Sequence, residues 1–350
     1  MHKVKTAIIC LLIGIILPAC ISASAYFGKI QTRKEQVVYY SNAAEPRSLD
    51  PHKTAGIPEG NIIMSLIERL TDYDPKTLEP RPAIAERWEA VDHAKKWVFY
   101  LRRNALWSDK HPVTAHDFVW AWQRGIDPKT ATPYAGLLYY VKNGEAISQG
   151  KMSPKELGVR AIDDYTLEVE MERPTAFFIK MTPHYVFSPL PSWTIEKWGD
   201  KWTTPENIVS CGPFKLAEHK PYNQVVLVKN PDYWDAANVK LDKAYFYPID
   251  DNPTNVNLYK AGELDTMQSG SIPLSFIKTL RKKKDYVGGA FFTTCYFSIN
   301  VKRKPLDDVR VRRALNMAID KAAITDKLIG KGDLPATALV PPGLAGYPKV

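Results

Sequence analysis

The sequence is poor in cysteine, with four in 350 residues and no C-x-x-C pair, so neither a zinc ribbon nor a disulfide-stapled scaffold organises it. It also lacks an H-E-x-x-H, a calcium-loop pattern, a P-loop, a G-x-G-x-x-G and a G-x-S-x-G. Those absences remove the common metalloprotease, nucleotide-binding, dinucleotide-binding and hydrolase readings. His111 and His116 stand five apart with Pro112 between them, a spacing that does not align two ligands on a helix. Cys211 in SCGPF has His219 eight residues on, but a cysteine beside Gly-Pro at a strand edge reads as packing rather than nucleophile. No repeat or low-complexity tract is present, and beyond the first 25 residues no apolar run approaches the length of a membrane span. Missing motifs do not prove inactivity, but they shift the weight toward a binding protein.

What is present describes a folded chain. Hydrophobic residues make up 45%, charged residues 24%, and there are nine tryptophans and eighteen tyrosines, enough apolar surface to offset the entropy of ordering. The length predicts two or more domains. The formal charge is +9, a balance that suits nucleic acid, anionic lipid or an acidic ligand. Its densest clusters, LRKKKD (Leu280 to Asp285) and VKRKP (Val301 to Pro305), lie beside turn residues and read as a solvated face, not a nucleic-acid contact.

Residues 1–25 have the layout of a signal peptide: Lys3 and Lys5, the apolar run Ala7 to Leu17, then small residues. Two processing sites compete. Ala23-Ser24-Ala25 would release Tyr26 as a free N-terminus, whereas Leu17-Pro18-Ala19-Cys20 resembles a lipobox that would place a lipid on Cys20; an uncleaved anchor is a third option. Cys211 and Cys295 remain in the exported body, where a bridge or two buried free thiols are both open.

Strand and helix signals alternate along the chain. Gln36 to Ser41, Lys96 to Arg102, Thr166 to Met171, Gln224 to Trp234 and Ala244 to Ile249 read as strands. A helix is expected from about Glu59 to Leu70, with Ile62, Ile63, Leu66, Ile67 and Leu70 on one face. Another runs through Val113 to Gly125, opened by Thr114 and Asp117 in a capping box, with Phe118, Ala121 and Trp122 inward. PLDDVRVRRALNMAID, Pro305 to Asp320, reads as a helix capped by Asp307 or Asp308, with Val311, Leu315, Ala318 and Ala322 inward and Arg310, Arg312 and Arg313 outward. With no nucleophile or histidine in it, that segment is scaffold. The fold class is α/β with mixed sheets.

Six segments then carry a resemblance. SLDPHKTAGIPEGNI (Ser48 to Ile62), AERWEA (Ala85 to Ala90), WSDKHPVTAHDFVWAWQR with IDPKTATPYA (Trp107 to Ala135), NPDYWD (Asn230 to Asp235), YKAGELD (Tyr259 to Asp265) and PLDDVRVRRALNMAID resemble the periplasmic oligopeptide-binding proteins of ABC importers, family 5 of the extracellular solute-binding proteins. The resemblance implies a multi-lobed periplasmic binding protein of type II-like fold. Residues 37–66 and 192–294 would form its first lobe, 67–191 an inserted lobe and 295–350 the start of a C-terminal lobe. It implies a non-enzymatic, monomeric receptor without cofactor that closes on short peptides, cell-wall peptides among them, and delivers them to permease and ATPase subunits. An exported sensor or chaperone-like peptide binder, or a non-functional fragment, is the alternative. By the same resemblance Ala55, Gly56 and Ile57 would clamp the peptide main chain as an added strand, with Tyr134, Gln268, Ser269, Gly270, Phe291 and Tyr296 lining the cleft. Gly56 would serve by letting a second backbone approach.

The pattern departs from the family in three places. Family members continue past Val350, so the C-terminal lobe is expected to be incomplete and to expose an apolar face. A lysine that relatives offer to peptide carboxylates falls at Ile329, leaving Lys327 or Lys331 to substitute. The crossover cysteine of some relatives falls at Thr293, two residues before Cys295.

Overall fold

The computed structural model describes residues 26–29, 31, 35–267, 272–289 and 292–343. The expected signal peptide and Cys20 therefore lie outside the described residues, as do Gln268, Ser269, Gly270 and Phe291. The chain divides into two compact units, a larger one from Gln31–Asp251 and Glu263–Gln268 and a smaller one from Met1–Ile30, Asn252–Gly262 and Ser269–Val350.

The larger unit is built on two principal sheets. β1 (Val37–Ser41) is the β-branched and aromatic run expected from the sequence, and α1 (Ile57–Leu66) follows it. A two-stranded ribbon, β2 (Thr71–Tyr73) with β3 (Pro80–Pro82), leads to β4 (Ala85–Val91) and β5 (Lys96–Leu101). After α2 (Ala115–Ile126), β6 (Val159–Asp163) and β7 (Thr166–Glu170) complete a four-stranded antiparallel sheet in the order β4-β5-β7-β6. Then come β8 (Phe214–Lys220), β9 (Gln224–Lys229), β10 (Lys243–Tyr247) and the short β11 (Thr266–Met267). They join β1 in a five-stranded mixed sheet of order β11-β1-β10-β9-β8, where β1 runs parallel to both β10 and β11.

Period-two patterning decides which faces are buried. Trp97, Phe99 and Leu101 of β5 and Leu167 and Val169 of β7 are buried on one side of their sheet, where Phe178 meets Phe99 edge to face and in turn packs edge to face on Trp122 and Phe187. The α2 capping box forms as expected, the Thr114 amide donating to Asp117 Oδ2 at 2.8 Å, and Phe118, Ala121 and Trp122 turn inward. The helix takes in Gly125 and ends at Ile126.

α1 departs from expectation. It begins two residues early, since Pro58 suits a first turn, and ends at Leu66 rather than Leu70. Ile67 and Leu70 are buried as their spacing suggested, but on an extended lead into β2, with Ile67 at φ −124° and ψ 115°. The stop is tertiary: the Leu66 carbonyl accepts from the Gly212 amide at 2.9 Å, and a Cβ on Gly212 would lie 2.8 Å from the Leu66 backbone. The SCGP segment thus docks on the helix end through a position only glycine can fill.

The smaller unit contains α3 (Asn252–Ala261), α4 (Leu274–Leu280) and α5 (Val309–Ala318), followed by a π-helical turn at Ala323–Ile329. α5 has the cap read from the sequence, Asp308 Oδ1 accepting from the Arg310 amide at 2.8 Å. Its expected inward face is a correction: no residue of α5 is buried, and Leu315 is 46% exposed. Val309, Met317, Ile319, Leu328 and Leu334 are exposed as well. Amphipathic spacing fixes which side of a helix is apolar, but not that another element covers it.

Candidate functional site

The segment Ser48 to Ile57 runs from the deepest polar cluster of the larger unit to its surface. Leu49, Asp50, Pro51 and His52 are buried. Asp50 receives two bonds from Arg124 of α2, Nη1 to Oδ1 at 3.1 Å and Nη2 to Oδ2 at 2.6 Å. The Trp202 indole adds a bond to Oδ2 at 3.1 Å and the His52 amide one to Oδ1 at 2.9 Å. Burial alone would raise the Asp50 pKa, but the guanidinium outweighs it and holds the carboxyl below its ordinary value. His52 is pushed down to about 4 by burial. Its Nδ1 accepts from Arg124 at 3.0 Å and Nε2–H faces the Val186 carbonyl at 3.4 Å, so the ring is neutral at pH 7. The aspartate and histidine of SLDPHK and the arginine of WQR are therefore one buried anchor.

From that anchor the chain emerges. Lys53 pairs with Asp200. The Thr54 carbonyl accepts from the Tyr185 hydroxyl at 3.4 Å and the Ala55 carbonyl from the Tyr134 hydroxyl at 3.1 Å. Ala55 is exposed, Gly56 half-buried and Ile57 61% exposed. Among the described residues, nothing accepts from the amides of Ala55, Gly56 and Ile57. The result is a short extended edge at Thr54 to Gly56, with the Thr54 and Ala55 carbonyls tied back to tyrosines, that passes into α1 at Ile57, whose amide is one of the helix's open first-turn donors.

Gly56 has a different local reason from the one expected. It is the N-cap of α1 at φ −86° and ψ 155°, a region open to any residue. A Cβ there would run into the carboxylate of this chain's own Glu59. Glu59 is buried, its Oε1 accepts from the Arg47 amide at 2.9 Å, and its Oε2 has no partner among the described residues. The missing side chain thus makes room for Glu59, and the open flanks of the edge are Ala55 and Ile57.

An aromatic group walls the edge. Tyr134 meets His184 edge-on at 4.5 Å and Tyr185 at 5.7 Å, and the His184 and Tyr185 rings lie 4.4 Å apart. Burial, then the Arg69 charge, push His184 down to about 4, and its Nδ1 accepts from the Val186 amide at 3.1 Å. Burial raises the Tyr185 phenol. The His184 and Tyr185 rings are therefore uncharged at neutral pH. Such a surface suits a hydrogen-bonding, partly apolar ligand.

Of the positions expected from the resemblance, Ala55, Gly56, Ile57 and Tyr134 come together here, while Tyr296 belongs to the smaller unit and is 69% exposed. His184, Tyr185 and Glu59 escaped the sequence reading. The first two lie in the unpatterned stretch MTPHYVF, with no signal beyond composition. Cys211 is a buried free thiol, its pKa raised by burial and its Sγ 3.9 Å from the Glu68 carbonyl, and Cys295 is a free, exposed thiol rather than a buried one. His219 is engaged with Glu45 at 2.8 Å. NPDYWD is structural too: Asn230 Nδ2 donates to the Gly212 carbonyl and the Tyr233 hydroxyl to Glu68, each at 2.9 Å. No group of potential metal ligands occurs among the described residues.

Comparison with known proteins places this architecture. The family model for bacterial extracellular solute-binding proteins, family 5 Middle, matches residues 79–350. The periplasmic oligopeptide-binding protein OppA of Salmonella typhimurium is 42% identical over 336 residues, covering 93% of this chain and 61% of that protein. The periplasmic murein peptide-binding protein MppA of Escherichia coli is 36% identical, covering 99% and 64%. Burkholderia pseudomallei OppA superposes with a TM-score of 0.83 at 38% identity, and Haemophilus influenzae OppA in complex with RPPGFSPFR with 0.80 at 39%, each covering 89% of this chain and 61% of the other. The chain thus spans somewhat under two thirds of the length of these relatives. With its mixed sheets, its structural neighbours and a family match over most of its length, the chain belongs to family 5 of the bacterial extracellular solute-binding proteins.

Proposed function

We propose that this chain binds short peptides by their main chain along Ala55–Ile57 and hands them to the permease and ATPase of an ABC importer, acting outside the cytoplasm as a monomer. The observation that carries this is the exposed edge itself: three amides without acceptors, standing on the buried Asp50–Arg124 anchor and walled by aromatic rings. A second backbone can satisfy those donors without reading side chains, the basis of recognition by strand addition. Gln268, Ser269, Gly270, Phe291 and Tyr296 belong to the same proposal as further contacts, as does the division into lobes. Energy for uptake comes from the partner ATPase, because this sequence has no P-loop. The relatives' names support the ligand class, one solved neighbour being a complex with a nine-residue peptide and another a murein tripeptide binder. A lipid on Cys20 would keep the receptor at the membrane.

The test is mass spectrometry of the material released when purified protein is denatured. Short peptides in stoichiometric amount are expected; a blank from a folded, monodisperse sample overturns the reading.

A further inference from the structure

The smaller unit carries a charge that the peptide site does not use. Residues 272–343 hold fourteen lysines and arginines against six aspartates and no glutamate. Their surplus of eight is nearly the +9 of the whole chain. The densest run, Arg281 to Lys284, follows α4, and Arg281, Lys282 and Lys284 are exposed. The adjacent Asp285 cannot neutralise them fully, because it is committed elsewhere: it accepts from the amides of Phe27 at 3.0 Å and Gly28 at 2.9 Å and from the Tyr259 hydroxyl at 3.0 Å. Lys278 of α4 and Lys327 of the π-helical turn line a hollow of about 290 Å³ together with Leu274, Ile277 and Leu328. Among the described residues, none of Lys278, Lys282, Lys284 and Lys327 is paired with a carboxylate. Aliphatic side chains are exposed in the same segments, Leu274 43% and Leu328 69% at the hollow and Val287 92% three residues after Lys284.

Long unpaired cations mixed with exposed aliphatic side chains match the two layers of an anionic bilayer surface, phosphate groups above and the acyl boundary below. Position adds a second argument. Asp285 ties down Phe27 and Gly28, and Lys284 Nζ stands 5.9 Å from the Tyr26 ring centre. The chain therefore enters this unit beside the basic run. The sequence ahead of it holds the apolar run Ala7 to Leu17 and Cys20, and the six steps from Cys20 to Tyr26 reach at most about 20 Å.

We propose that this face, centred on Lys278, Lys282, Lys284 and Lys327, docks on an anionic phospholipid surface and orients the protein on the membrane. The test is flotation of the full chain with vesicles of phosphatidylcholine alone or mixed with phosphatidylglycerol, so that the apolar N-terminal run is present in every arm. Lys278→Gln/Lys282→Gln/Lys284→Gln is expected to lower partition onto the mixed vesicles by on the order of 100-fold, roughly fivefold per cation. Partition onto phosphatidylcholine should not change. Lys129→Gln/Lys151→Gln/Lys155→Gln removes the same charge from exposed positions of the larger unit and should retain wild-type partition. Equal binding of wild type to both vesicle types, an equal loss in the control variant, or release from the vesicles in favour of RNA would each overturn the proposal. Should the first variant misfold, a salt titration of the wild type decides: affinity for the mixed vesicles that fails to fall with salt refutes it.

Discussion

Replacing Arg124 by methionine tests whether the proposed binding edge depends on the anchor beneath it. The side chain is nearly as long, so the change removes the charge and its bonds more than volume. Asp50 keeps the Trp202 indole and the His52 amide, at 3.1 and 2.9 Å, but loses both guanidinium bonds and is left as a buried, uncompensated carboxylate. Breaking a buried pair from one side costs about 3–5 kcal/mol, far above the 0–1 kcal/mol of a surface pair such as Lys142–Glu170. Urea unfolding at pH 7 should therefore show an unfolding free energy lowered by that amount, read as a lower midpoint at unchanged slope. The double variant Asp50→Asn/Arg124→Met should cost much less than the sum of its single changes, because the stranded charge is gone. The loss should be complete at neutral pH and shrink on acidification, first as the stranded carboxyl, raised by burial once the guanidinium is gone, takes up its proton, and then as pH falls through the depressed value of the wild type. Titration calorimetry with a tripeptide should show weaker binding, as Lys53 to Ile57 lose their footing. A loss under 1 kcal/mol, or strict additivity in the cycle, would refute the idea that this pair anchors the edge.

His52 and His184, both near 4 in the fold against 6.5 unfolded, are neutral at pH 7 in both states; between pH 6.5 and 4 the unfolded chain binds more protons. Stability should therefore fall on acidification by about 1.4 kcal/mol per pH unit for each ring, and urea midpoints flat from pH 7 to 5 would contradict this. Tyr134→Phe deletes only the 3.1 Å bond to the Ala55 carbonyl, and should cost about 1 kcal/mol in urea unfolding; a loss above 3 kcal/mol would mean that the ring is displaced. Gly56→Ala should destabilise by about 1–3 kcal/mol through collision with Glu59, and Gly56→Ala/Glu59→Ala should recover part of it; no recovery would argue that the demand for glycine comes from elsewhere. Alkylation followed by peptide mapping should label Cys295 in the native protein and Cys211 only after unfolding, and native labelling of Cys211 would show that the SCGP segment opens.

Much of the fold was legible from local patterns. β5, β7 and β10 fall within two residues of the runs that predicted them, and β9 begins at Gln224 as read, because β-branched and aromatic runs mark a strand locally. β9 stops at Lys229, ahead of the Asn-Pro-Asp turn. The caps at Thr114 and Asp308 were readable because a cap is a bond between near neighbours. Where the outcome depended on distant partners the reading failed, as at the end of α1 and the uncovered face of α5.

Sequence by itself determined most strand positions, the caps and the family resemblance, since alternation and capping are written in near neighbours. Only the tertiary structure decided what the motif residues do. Asp50 and Arg124 lie 74 positions apart, and Tyr134 lies 79 from Ala55; bonds across such gaps leave no spacing to read. The same holds for Gly56, whose missing side chain is explained by the fold of Glu59 back over it and by nothing in its own backbone angles.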